Sequence, residues 1–242
     1  MTELEVGSQD CPLCGDSGWK QTADASGVVR CDCHRRASSR RLIQSAAIPS
    51  RYQHNTFDNF DTGEVFDASL GAAKLLCSRY VERYEALDYG LLFMGPPGIG
   101  KTHLGVAVLR ALIERYGIAG VFVDYRDLLR SIQDSYNPIS QTSEMEILKP
   151  VLKADVVVLD ELGARRPTNW VSDTVNHIIN ERYNDDRITL ITTNYQDEPG
   201  AEVPSLEERV GIRLRSRLYE MCRPVRMRGG DYRHDVKQAA YR

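Results

Sequence analysis

Residues 90–117 read GLLFMGPPGIGKTHLGVAVLRALIERYG. Leu91–Met94 is a continuous apolar run, as expected of a parallel strand covered on both faces. Gly95, Pro96, Pro97, Gly98, Ile99, Gly100, Lys101 and Thr102 then match G-x-x-x-x-G-K-[ST]. Thr102–Tyr116 follows with helical spacing. Glycines at this junction let the backbone wrap around phosphates, and the N–H groups at the helix start donate to them. Residues 95–102, with His103 beside them, are therefore expected to bind a nucleotide. Lys101 is expected to reach the β- and γ-phosphates, and the Thr102 hydroxyl to ligate Mg²⁺.

Outward from this stretch the chain alternates between strand and helix. Val121–Val123, Val156–Leu159 and Ile188–Thr192 are further apolar runs, and Val225 with Met227 suggests a fifth strand near an edge. Tyr125–Ser135, Asn169–Tyr183 and Leu206–Met221 have helical patterns, whereas 137–146 reads as a loop or insertion. Such alternation predicts an α/β fold with a five-stranded parallel sheet flanked by helices. Asp160 and Glu161 end the run VVVLD, at the sheet edge where ligands gather. Asp160 is expected to hold Mg²⁺ and Glu161 to orient and deprotonate an attacking water. Asn194 ends RITLITTN and is expected to contact the γ-phosphate or that water. Arg213 and Arg217 lie four apart and would share a helix face; Arg217 is the candidate finger reaching a neighbouring subunit's nucleotide. Arg233, in GGDYR, is expected to return to the γ-phosphate of its own subunit.

The remaining chain precedes this unit. Its N-terminus, MTELEVGSQD, is polar and acidic, and no apolar run approaches the roughly 18 residues of a membrane span. The expected location is cytoplasmic. Net charge is −3, yet residues 209–242 carry nine arginines and one lysine against three acids, and Arg30, Arg35, Arg36, Arg40 and Arg41 form a second basic cluster. Cys11-x-x-Cys14 and Cys31-x-Cys33 are paired spacings that can place four thiolates around one zinc, with Trp19 and Val28-Val29 forming a small hairpin between them. His34 is an alternative fourth ligand. So small a module lacks apolar area to bury, and a metal would supply its stability. A basic helix is expected over Arg35–Ala47, and RYQHNTFDNFDTG reads as a mostly extended linker. Glu64–Tyr84 has helical spacing, with Val65, Leu70, Ala73, Leu76, Cys77 and Tyr80 as its buried face. The expected division is a zinc module at 1–36, a basic helix and linker at 37–65, and the nucleotide-binding domain at 66–242.

GPPGIGKTHL, VVVLDELG, ITTNY, SRLYE and GGDYR, in that order, resemble the DnaC/DnaI-type AAA+ helicase loaders, over roughly 46–242 and including the IPSRY segment. The stretch around 124–150 looks like the extra helix of the initiator and loader clade. The resemblance implies an AAA+ ATPase that assembles with ATP into an oligomer and loads the replicative DNA helicase hexamer onto single-stranded DNA. It further implies that the N-terminal region binds the helicase. The IstB-like helper ATPases of DNA transposition share the ATPase motifs and are the alternative.

Overall fold

A computed structural model describes residues 11–22, 27–63, 67–198 and 203–233. Val65, with the expected helix start at Glu64, and the basic residues Lys237 and Arg242 lie outside them. The chain begins with an antiparallel hairpin, β1 (Trp19–Gln21) and β2 (Val28–Arg30), followed by α1 (Asp32–Ser45) and α2 (Ala68–Arg83). Strand and helix then alternate: β3 (Gly90–Met94), α3 (Lys101–Tyr116), β4 (Gly120–Asp124), α4 (Tyr125–Ser135), α5 (Glu144–Lys153), β5 (Val156–Asp160), α6 (Asn169–Asn184) and β6 (Ile188–Thr193). Two short helices, α7 (Leu206–Val210) and α8 (Ile212–Met221), lead into β7 (Cys222–Arg226).

The five long strands form one parallel sheet in the order β4-β5-β6-β3-β7, as the apolar runs predict. Successive side chains of a strand point to opposite faces, so each strand feeds two cores. Leu91, Phe93, Val156, Val158 and Leu190 pack with α2 and α3. Leu92, Met94, Val157, Leu159 and Ile191 pack with the helices α4 to α8. Strands buried on both faces must be apolar throughout, which is why β3 and β5 lack an alternating pattern.

Three local expectations are corrected. The basic helix begins at Asp32, not Arg35, so it carries Cys33 in its first turn and runs past residue 36. Its far end docks on the main domain, where Ser39 Oγ donates to Ile113 O and Phe122 N–H donates to Ala46 O. The helix expected over Leu206–Met221 is two helices, because Gly211 at φ +85° and ψ 153° leaves the helical region and turns the chain. Residues 51–63 are not an extended linker: Ser50–Tyr52 is a 3₁₀ turn, and Phe60 is buried against the nucleotide-motif loop. One buried cation, Arg182, forms no ion pair among the described residues. Arg182 donates to Val151 O, Ala154 O, Ile188 O and Thr189 Oγ1, tying the end of α5 and the start of β6 to α6. Among the described residues, no helix is long and apolar enough to cross a membrane.

Candidate nucleotide and metal sites

The loop after β3 is clamped from two sides. A Cβ placed on Gly98 would lie 1.8 Å from Asp231 Oδ1, and one on Gly100 would lie 2.6 Å from the Phe60 ring. Both glycines also hold positive φ, +76° and +95°, so a side chain is excluded by conformation as well as by space. From the C-terminal side, Tyr232 N–H donates to Gly98 O. From the N-terminal side, a His103 Nε2 hydrogen bond to Thr56 O spans 2.8 Å, and the His103 and Phe60 rings meet edge to face. Lys74 Nζ closes that side by donating to Phe60 O.

The result is a cleft of about 360 Å³ at the carboxyl edge of the sheet. Pro97, Gly98, Ile99, Gly100, Lys101, Thr102, His103, Glu161, Asn194 and Arg233 all line it. Lys101 is buried and donates to Gly95 O and Pro96 O at 2.8 and 2.7 Å. Burial holds its ammonium down at about 8, opposed by the nearby carboxylates of Asp160 and Glu161.

Asp160 lies at the base. Its Oδ1 accepts from Thr102 Oγ1 at 2.8 Å and from Thr192 Oγ1 at 2.6 Å. Burial pushes its carboxyl upward, and no ion pair to it exists among the described residues. A buried carboxylate beside a threonine hydroxyl, with no ammonium or guanidinium bonded to it, fits the oxygen-donor preference of Mg²⁺. Glu161 has φ +60°, rare for a residue with a Cβ, and its N–H donates to Thr192 Oγ1 at 2.9 Å. Its carboxylate stands 3.5 Å from Arg126 NH2 on α4.

Arg217 lies outside this cleft. It caps Asn180 Oδ1 and stacks 5.0 Å over the Tyr183 ring, in a separate groove between α6 and α8 that also holds Arg213. Sequence reading missed Arg126, Thr192 and the wall formed by Arg51, Tyr52, Asn55 and Phe60. Only the aromatic residues of that wall carried a signal, since Tyr52 and Phe60 are costly to leave wet.

At the other end of the chain, the Sγ atoms of Cys11, Cys14, Cys31 and Cys33 all lie within 4.8 Å of one another. Cys11 and Cys31 sulfurs are 3.8 Å apart, and those of Cys14 and Cys33 are 3.2 Å apart. Tetrahedral zinc with bonds of about 2.3 Å needs sulfurs about 3.8 Å apart, so the donor set fits. Their hydrogen bond pulls the Cys14 thiol down to about 7 and pushes that of Cys33 up, so one thiolate is shared by the pair. His34 is not in the cluster; its ring packs on Gly18 and hydrogen-bonds Arg30.

Residues 28–240 match the family model described as IstB-like ATP binding protein. The chain belongs to this family. Among curated relatives, Replicative helicase loader DnaC of Escherichia coli (strain K12) is 27% identical over 185 residues, covering 75% of this chain and 71% of that one. Among solved structures, the DnaC helicase loader superposes with a TM-score of 0.64 at 33% identity, covering 74% of this chain and 99% of that one. DnaI superposes at 0.61 with 22% identity, covering 78% and 98%, a likeness of fold. This DnaC/IstB-like chain thus carries the family's AAA+ P-loop architecture, with the four-cysteine module ahead of it.

Proposed function

We propose that this protein is an ATP-hydrolysing loader that delivers the replicative DNA helicase to single-stranded DNA in the cytoplasm. The observation that carries the ATPase reading is the convergence of Lys101, Thr102, Asp160, Glu161, Asn194 and Arg233 around one cleft at the sheet's carboxyl edge. The relatedness to DnaC loaders points to the helicase as partner. We keep the division at 1–36, 37–65 and 66–242, with α1 as the joint between module and ATPase.

In this reading Lys101 leaves its own loop carbonyls and binds the β- and γ-phosphates of ATP. Thr102 and Asp160 hold Mg²⁺, which neutralises charge on the phosphates when bound. Glu161 accepts a proton from water as the water oxygen bonds to the γ-phosphorus and the bond to the ADP oxygen breaks. Asn194 positions that water, and Arg233 meets the γ-phosphate within the subunit. Arg217 lies outside its own cleft, and we assign it to the cleft of a neighbouring subunit, so that turnover requires an AAA+ oligomer. Cys11, Cys14, Cys31 and Cys33 hold a structural zinc.

The test is mass in solution. The protein is mixed with the replicative helicase, with and without a non-hydrolysable ATP analogue, and the products are sized by light scattering. A stable complex is expected. A second reading, ATPase helper of a DNA transposase, is favoured by the family model that matches most of the chain. Absence of a helicase complex, together with tight ATP-dependent binding to duplex DNA, would replace the first reading with the second.

A further inference from the structure

A second groove, of about 320 Å³, lies away from the nucleotide, between the outer face of α2 and the edge strand β7. Leu75, Leu76 and Leu87 line its floor, and Leu75 is 52% exposed. Arg79, Arg83 and Arg223 line its rim, and all three are exposed. None of them forms an ion pair among the described residues, and no acid lines the groove. Leu75, Leu76, Arg79 and Arg83 follow the spacing of one helix stripe, so apolar and cationic parts are presented together.

We propose that this groove docks an acidic, leucine-bearing segment of a partner protein. Three unpaired guanidiniums call for carboxylates, which they bind with directional hydrogen bonds. A wet leucine floor calls for aliphatic side chains, as when an amphipathic helix lies in a groove. A nucleic-acid strand would satisfy the arginines and leave the leucines in water. Of the two tyrosines at the groove, Tyr80 is buried, and Tyr89 is half-buried with its ring packed against that of Tyr80. The same helix reaches the nucleotide: Leu70 lines the ATP cleft and Lys74 holds Phe60 O. A partner seated on α2 is thereby one helix away from the P-loop.

The test uses the whole chain without nucleotide, in a Lys101→Ala background, so its outcome is independent of the ATPase reading. The probe is a fluorescein-labelled peptide, EELLDELLEELG, followed by anisotropy. Saturable binding at one site per chain is expected. Arg79→Glu combined with Arg83→Glu should weaken it about tenfold or more, and Leu75→Ser severalfold with an unchanged salt slope. Both sites are exposed, and circular dichroism with an Arg79→Lys control checks the fold. No saturable binding overturns the proposal. So does equal binding of a peptide with serine replacing every leucine, or displacement by oligo(dT), either of which marks a surface for polyanions alone.

Discussion

Glu161 is held in a costly backbone conformation, at about 1–3 kcal/mol, by its N–H bond to Thr192, which also braces Asp160, and by the Ala164 N–H that donates to its carbonyl. Thr192 therefore sets the spacing between the carboxylates proposed to hold Mg²⁺ and to activate water. Glu161→Gln should keep ATP affinity and lose turnover by about 10²-fold or more, since the amide accepts no proton. Wild-type steady-state hydrolysis in that variant would remove Glu161 as base. The Glu161 carboxylate is also restrained by Arg126, a partly exposed ion pair. Arg126→Ala should raise basal turnover about two- to fivefold, the size of such a pair; a fall would show that the pair orients the base productively. Lys101 supplies a pH dependence. Its ammonium is depressed to about 8 by burial, so it loses charge as pH rises through that value. Phosphate binding favours the charged form. ATP affinity should thus decline above about pH 8 with net proton uptake, read by calorimetry in buffers of different ionisation enthalpy. Proton release on binding would contradict it.

At the scale of elements, the four-cysteine module and the P-loop domain share α1. Its first turn carries Cys33, while Ser39 and Ala46 further along bond to α3 and β4. The hairpin ahead of it leaves Trp19, Val28 and Val29 exposed, so packing alone cannot hold it. About one zinc per chain is expected by elemental analysis, falling sharply in Cys11→Ser. Chelation should abolish hydrogen-exchange protection around residues 11–33 and spare β3 and α3. A metal-free chain with a protected hairpin would refute the zinc. The α7–α8 break works at the same scale. Gly211 redirects the chain so that α8 lies against α6, where Arg217 meets Asn180 and Tyr183.

Across the whole molecule, the P-loop cleft and the α6–α8 groove that holds Arg217 are separate surfaces of one domain. Under the proposed function, that separation would make hydrolysis a property of an assembly rather than of a chain. Arg217→Ala and Lys101→Ala should each be inactive alone. Mixed in equal amounts they should recover about a quarter of wild-type turnover, because one interface in four pairs an intact P-loop with an intact Arg217. No recovery in mixtures that still assemble would place Arg217 outside the reaction.

Much of this was legible in the linear chain. The strands are continuous apolar runs bounded by polar residues, and P-loop geometry follows from glycines and a lysine within eight positions, so local chemistry specifies both. The four cysteines come as two short pairs whose spacing limits where sulfur can go. Tertiary structure alone decided the rest. That Phe60 and His103 wall the cleft, that Thr192 ties Asp160 to Glu161, and that Arg126 restrains Glu161 depend on residues 31 to 43 positions apart meeting in space. No local periodicity encodes such meetings; they exist only once strand order has brought β4, β5 and β6 side by side.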